Sequence, residues 1–373
     1  MGSPKKGARP QGEVPHLIDE WQDVPKIWDA VRRRIDETGN QRGQFILTGS
    51  STVDKTKVSH SGAGRIAKLH LRPMSLFESG DSDGSISLAG LFEGNFTPKK
   101  VETDARNLAR LICRGGWPAS ASIQNLDNFE LPAQYLNALF EVSAVKTRLD
   151  SNLARRTSVS LARNVGKSIT YKTLYEDVFA IEHEEEQGSV LYQQKLEPYV
   201  NFLESQYAVE NLYGWDAPIK SKSRVRSKPK RCFVDPSLPA SLLSMNPERL
   251  LKEMQVFGTL FEELCIRDVR IYSSAMGLLP EPTVNYYGDA DGLGVDIIVE
   301  LADGRWGAFE VKLNGEKMFQ GERNLLRLKK KVALNKAARN PEPSFLAVLV
   351  GKTEFAMQLP SKVYVVPITC LGV

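Results

Sequence analysis

The chain has 373 residues, of which 42% are hydrophobic and 25% charged, with a formal net charge of +4. This length accommodates two or three domains with cores of their own, and the composition is that of a globular protein rather than a disordered or fibrous one. No apolar run approaches the roughly 20 residues that span a bilayer, no apolar stretch follows the basic first residues as a secretory signal would require, and Cys113, Cys232, Cys265 and Cys370 lack the spacing of a zinc site or a disulfide framework. A membrane partner is therefore not expected, and the reading is of a cytoplasmic protein.

Residues 1–14 are rich in Lys, Gly and Pro. His16-Leu17-Ile18-Asp19 then predicts a short buried strand ending in acid, Pro25 to Glu37 a helix with Ile27, Trp28, Val31 and Ile35 on its apolar side, and Phe45-Ile46-Leu47-Thr48 a second buried strand. Strand, helix and strand in this order suggest a βαβ unit of a parallel sheet. A carboxylate at the C-terminal end of a buried strand is suited to holding magnesium, and a following acid to polarising an attacking water, which makes Asp19 and Glu20 candidate nucleotide-site residues. Phe45 to Ser51 has the form of a sensor strand, which ends in a polar residue beside the γ-phosphate. The glycine-rich run Ser61-Gly62-Ala63-Gly64-Arg65 delivers Arg65, whose guanidinium could stabilise charge on a transferred phosphoryl group.

Residues 100–150 predict helices, with Leu108, Leu111 and Ile112 on one stripe and Tyr135, Leu136, Leu139 and Phe140 on another. Residues 158–213 predict three short helices and a strand, Tyr207 to Leu212, in the order of a winged helix. Lys220, Lys222, Arg224, Arg226, Lys228 and Lys230 follow at every even position. On an extended strand they would share one face, a ribbon suited to a nucleic-acid backbone; a solvated hairpin is the alternative.

A further domain is expected from Pro247, opening with an amphipathic helix that carries Phe257, Leu260, Phe261 and Leu264 on its stripe. Val295 to Leu301 and Trp306 to Leu313 predict a hairpin. A two-residue turn at Asp303-Gly304 would leave Asp296 and Glu310 on opposite faces, whereas a three-residue loop, Ala302-Asp303-Gly304 with a left-handed Gly304, pairs them directly. A Lys-rich helix from about Met318 to Ala338 and strands at Phe345–Val350 and Val363–Ile368 complete an α/β arrangement. Asp296, Glu310 and Lys312 resemble the PD-(D/E)xK nuclease core, in which two carboxylates hold magnesium and the lysine orients or deprotonates water. Glu262 matches the helix carboxylate of that core by the same resemblance, although its direction from the helix lies nearly opposite the apolar stripe.

The strings Leu17-Ile18-Asp19-Glu20-Trp21-Gln22, Phe45-Ile46-Leu47-Thr48-Gly49-Ser50-Ser51, Ser61-Gly62-Ala63-Gly64-Arg65 and Leu71-Arg72-Pro73-Met74-Ser75-Leu76-Phe77-Glu78, in this order, resemble prokaryotic AAA-type ATPases with a C-terminal DUF4143 region. The resemblance covers nearly the whole chain. It implies that Asp19 and Glu20 are Walker B residues, that Ser50 lies near the sensor position, and that Arg65 is an arginine finger. It also implies ATP and Mg2+ as cofactors and homo-oligomerisation through AAA-type contacts. Such proteins place a Gly-x-x-x-x-Gly-Lys-[Ser/Thr] loop before Walker B. Here the Gly-Lys-Ser string is Gly166-Lys167-Ser168, with Leu161 where the earlier glycine would stand and no apolar strand leading in, so little or no ATP affinity or hydrolysis is expected.

The expected architecture is α/β: part of an AAA-type parallel-sheet domain over 1–98, a helical lid or linker over 99–157, a winged-helix-like domain with a basic wing over 158–246, and a DUF4143 nuclease-like α/β domain over 247–373. The preferred reading is a truncated AAA-family ATP-binding protein with little or no ATPase activity and a nucleic-acid-associated C-terminal half, its expected partner DNA or another nucleic acid. A magnesium-dependent nuclease and a protein-interaction module are the alternatives.

Overall fold

The computed structural model describes residues 15–49, 62–121, 129–179, 189–218, 221, 224, 227–278 and 280–373. The chain divides into two compact units, the first comprising Met1–Leu71 with Leu203–Tyr207 and the second Arg72–Phe202 with Ala208–Val373. Residues 72–98, expected with the first domain, thus pack with the second unit.

In the first unit β1 (His16–Ile18) pairs in parallel with β2 (Phe45–Leu47), and α1 (Lys26–Glu37) connects them. Trp28, Val31 and Ile35 bury one stripe of α1, as its spacing predicts. The two strands are less buried than expected. Their register sets Leu17 beside Ile46 on one side of the pair, and these residues are 66% and 49% exposed. The cause is the size of the sheet: among the described residues β1 and β2 pair only with each other.

The second unit begins with β3 (Ile86–Ser87) and β4 (Lys99–Lys100). Helices α2 (Ala105–Arg114), α3 (Ser151–Arg163), α4 (Tyr171–Phe179) and α5 (Ser189–Ser205, of which the part up to Phe202 belongs to this unit) follow. Asp104 caps α2 and Asp150 caps α3 by accepting backbone N–H groups of the first turn. Beyond α5, β5 (Val209–Leu212) and β6 (Lys230–Phe233) form an antiparallel pair.

The core is a seven-stranded mixed sheet of order β4-β11-β12-β10-β9-β8-β7. It combines β7 (Thr283–Gly288), β8 (Gly294–Glu300), β9 (Trp306–Asn314), β10 (Phe345–Lys352), β11 (Phe355–Gln358) and β12 (Tyr364–Pro367) with β4. The pairs β9–β10 and β10–β12 are parallel, the others antiparallel. Helix α6 (Met254–Ala275) packs against β7, β8 and β9, and α7 (Met318–Leu334) against β8, β9 and β10. β10 is buried at every position but its last, as expected for a central strand covered on both faces. A final short strand, β13 (Leu371–Gly372), pairs in parallel with β3.

Alternation along β9 sets the site. Trp306 and Ala308 join Leu325, Leu328 and Val332 of α7 in one apolar cluster, and with a period of two Glu310 and Lys312 leave the strand on the same side. Gly321 lets α7 come close there, because a Cβ at that position would lie 3.1 Å from Glu310 Cβ and from Val348 Cγ2.

Candidate functional site

In the first unit, the Thr48 N–H donates to Ile18 O at 2.9 Å and the Trp21 N–H to Thr48 O at 3.2 Å, so the strand ends stay together past the sheet. The Thr48 hydroxyl donates to the Asp19 carboxylate, and the Gln22 amide to Glu20. Both acids are exposed. Glu20 has φ of +48°, in the left-handed region that costs a non-glycine residue about 1–2 kcal/mol. Arg65 is paired with Asp36 of α1, which also accepts Arg32 at 3.3 Å. Ser50 lies outside the described residues.

The second unit brings its candidate residues together. The register Ile297↔Phe309, Ile298↔Ala308, Val299↔Gly307, Glu300↔Trp306 ends one residue short of Asp296 and Glu310, so these two lie just beyond the last paired residues of their strands. The source of the register is a three-residue loop: the Leu301 N–H donates to Arg305 O at 2.8 Å, the Gly304 N–H to Leu301 O at 2.9 Å, and Gly304 has φ of +86°. The Lys312 ammonium donates to Glu310 Oε2 at 2.5 Å and to Val311 O at 3.0 Å, and lies 3.9 Å from Asp296 Oδ2. Asp296 accepts the Val311 N–H at 2.8 Å, and Glu310 accepts Asn324 of α7 at 3.3 Å. Glu262, from the side of α6 away from the predicted stripe, also reaches this region. It accepts the Lys230 ammonium at 3.4 Å, and its charge acts on Lys312.

Burial raises the Glu310 carboxyl to about 7, and the neighbouring Asp296 charge adds to the effect. Glu262 is likewise raised to about 7 by burial and then by Asp296, against the pull of Lys230. Desolvation would lower the two lysines. Asp296 and Glu310 outweigh it at Lys312, and Glu262 and Asp296 at Lys230, so both ammoniums are held charged above their ordinary range.

The basic segment differs from the ribbon expected of it. Lys220, Lys222 and Arg226 lie outside the described residues. Arg224 lies in a helical turn instead of an extended strand. Its guanidinium forks onto Glu300 at 2.8 and 3.1 Å and lies 5.7 Å from the Trp215 ring centroid. Lys230 turns to Glu262, and Lys228 is exposed. Arg224 and Lys230 thus do not share a solvent face with Lys228, because each finds a partly buried carboxylate.

A second charged group went unnoticed in the sequence. Arg267 of α6, 2% exposed in its side chain, pairs with Asp235 at 2.8 Å and Asp268 at 2.7 Å. The two acids accept backbone N–H groups of Gly116 and Leu76. The available signal was an Arg-Asp pair inside the apolar stretch Leu264 to Tyr272. With every charge partnered by protein groups, this cluster ties segments together.

Comparison with protein families assigns the parts. The AAA domain family matches residues 5–79, a domain of unknown function, DUF8612, matches residues 105–249, and a domain of unknown function, DUF4143, matches residues 257–371. No curated protein and no solved structure matches. The chain thus carries an AAA domain match towards its N-terminal end, of a family whose domains in general bind ATP. Together with the DUF4143 match towards the C-terminal end, this is the combination that the four motifs resemble. The DUF8612 match runs through both the helical segment and the segment read as a winged helix. Among the described residues no helix is long and apolar enough to cross a membrane.

Proposed function

We propose that the DUF4143 region of this chain is a divalent-cation site of the PD-(D/E)xK kind, acting on phosphodiester bonds of nucleic acid. The observation that carries this reading is the position of the Lys312 ammonium, which has Glu310 Oε2, Val311 O and Asp296 Oδ2 around it. A positive charge among two carboxylates and a carbonyl is a stand-in for a cation, and hard oxygen donors of this type suit magnesium. Among the described residues no three acidic, histidine or cysteine side chains are grouped so as to hold a metal ion. Bound magnesium would supply charge neutralisation at a phosphate and a more acidic water. Asp296 and Glu310 would hold it, with Glu262 a third carboxylate. Lys312, displaced from Glu310, would orient the water or take its proton.

The Lys312 contact with Glu310 also favours a second reading, in which the lysine keeps the site neutral and the fold associates with nucleic acid without cutting it. By family resemblance, Asp19, Glu20, Ser50 and Arg65 would serve ATP and its magnesium in the first unit, and AAA-type contacts would bring copies of the chain together. One experiment separates the two readings of the C-terminal site. The full chain is titrated calorimetrically with MgCl2 and MnCl2, then assayed for cleavage of single- and double-stranded DNA beside Asp296→Asn and Glu310→Gln. Metal-dependent cleavage lost in both variants is the expected result. Cleavage that survives in them overturns the first reading; metal-free binding without cleavage favours the second.

A further inference from the structure

The Gly-Lys-Ser string at residues 166–168 is no phosphate loop in the AAA sense, yet it lies beside the acidic site. Gly166, with φ of +75°, turns the chain after α3. The Lys167 N–H closes that turn onto Asn164 O at 3.1 Å. A Cβ built on Gly166 would lie 3.8 Å from Glu262 Oε1. Ser168 donates to Lys228 O at 3.1 Å, and Tyr286 of β7 donates to the same carbonyl at 2.8 Å. The Lys230 ammonium sits 5.1 Å over the Tyr286 ring while reaching Glu262. Three segments far apart in sequence, the 166–168 turn, the 228–230 strand entry and β7, are therefore pinned around Glu262 within one compact unit.

The pinning fixes the backbones of Lys167 and Lys228, and both residues are exposed. Neither has an ion pair among the described residues, whereas Lys230 and Lys312 are spent on carboxylates of the site. Two free cations on a braced rim beside a carboxylate cluster are a poor match for an acidic cation-seeking site alone. They fit a polyanion that must be brought to that cluster against its negative charge, which is the electrostatic problem a nucleic-acid strand poses.

We infer that Lys167 and Lys228 form a backbone-binding rim that takes the phosphates of a nucleic-acid strand flanking the bond presented to the Asp296–Glu310 site. The inference rests on the phosphodiester reading of that site and assigns the positioning of its substrate to the region preceding the DUF4143 match. The rim holds phosphates and reads no base, so binding is independent of sequence and depends on salt.

The test uses the full chain in EDTA, where cleavage plays no part. Fluorescence anisotropy with a labelled single-stranded oligonucleotide and with its duplex gives affinity across a salt series for wild type, Lys167→Ala/Lys228→Ala, and a charge-matched pair, Lys146→Ala/Lys252→Ala. The rim variant is expected to bind more weakly and to lose about 2 from the slope of log affinity against log salt, about 1 for each phosphate contact. The matched pair is expected to behave as wild type. Wild type that does not bind, or equal losses in the two pairs, overturns the inference. Calorimetric Mg2+ titration of the rim variant is expected to match wild type. A rim variant that binds metal normally but nucleic acid no differently from wild type sinks the rim and leaves the metal site standing; wild type that binds no metal, or Asp296→Asn that binds it unchanged, with the rim effect intact, sinks the metal site and leaves the rim standing.

Discussion

Lys312 Nζ lies 2.5 Å from Glu310 Oε2, so one residue of the candidate site neutralises the other across a single turn of strand alternation. Breaking such a partly buried pair leaves a carboxylate without a counter-charge, which costs about 3–5 kcal/mol where no other cation replaces it. Lys312→Met is therefore expected to lower the melting temperature in EDTA and to recover more of it in MgCl2 than wild type gains. At a metal concentration a hundredfold above Kd, linkage contributes about 2.7 kcal/mol. Differential scanning calorimetry of both proteins, with and without magnesium, measures the difference. An equal gain in the two would mean that lysine and metal do not compete.

Glu263 is buried beside Glu262 and accepts the Phe233 N–H at 2.9 Å through one oxygen. Burial pushes its carboxyl up to about 8 from an ordinary value of 4.5. The folded state then holds a proton that the unfolded chain releases. Its contribution to stability is complete below about pH 4.5 and is lost as pH rises through about 8. Urea midpoints should therefore fall between pH 5 and pH 8.5, and Glu263→Gln should fall less over the same window. A variant with the same slope as wild type would remove Glu263 as a source of the dependence.

Arg267 holds two buried acids at once. Arg267→Met should destabilise the second unit by about 3–5 kcal/mol in urea unfolding, because Asp235 and Asp268 lose their shared cation. Arg267→Lys keeps the charge without the fork and should fall between the two.

Arg224, read from sequence as one tooth of a basic ribbon, is expected to affect stability instead of nucleic-acid binding. Its fork onto Glu300 leaves the side chains 21% and 13% exposed. Arg224→Ser should cost about 1.5–3 kcal/mol, the range for hydrogen bonds to charged groups. The salt slope of DNA binding should not change, and a flattened slope would return Arg224 to the binding surface.

The hairpin was legible because local rules decide it: a left-handed glycine at position 304 sets the loop, the loop sets the register, and the register, paired as far as Ile297 and Phe309, brings the neighbouring Asp296 and Glu310 to the same end of the hairpin. The reach of Glu262 was not legible from one apolar stripe. Helix α6 is buried around most of its girth, with Glu263, Arg267 and Asp268 inside along with Phe261 and Leu264, so a direction away from the stripe still points into protein. Arg224 and Lys230 depart from the expected ribbon for a related reason. Alternation in sequence describes a strand in isolation, while Arg224 and Lys230 answer to Glu300 and Glu262, carboxylates supplied by elements 76 and 32 residues away. Likewise, Leu17 and Ile46 carry the pattern of buried strands, but burial depends on neighbours that the pattern itself cannot provide.

The pairing of β3 with β13 has a consequence for how the protein is made. Ser82 donates to Leu371 O at 2.6 Å across 289 residues, and the Asp83 N–H donates to Thr369 O at 3.0 Å. β4 likewise waits for β11 before it can join the sheet. During synthesis at about 5–20 residues per second, the segment 82–100 leaves the ribosome well before the strands that receive it exist. Contacts of such sequence separation form late and slowly, so β4 must stay unpaired until β11 has emerged and β3 until residue 371 has. A ribosome stalled before that point would display an incomplete sheet edge, the kind of surface that chaperones bind.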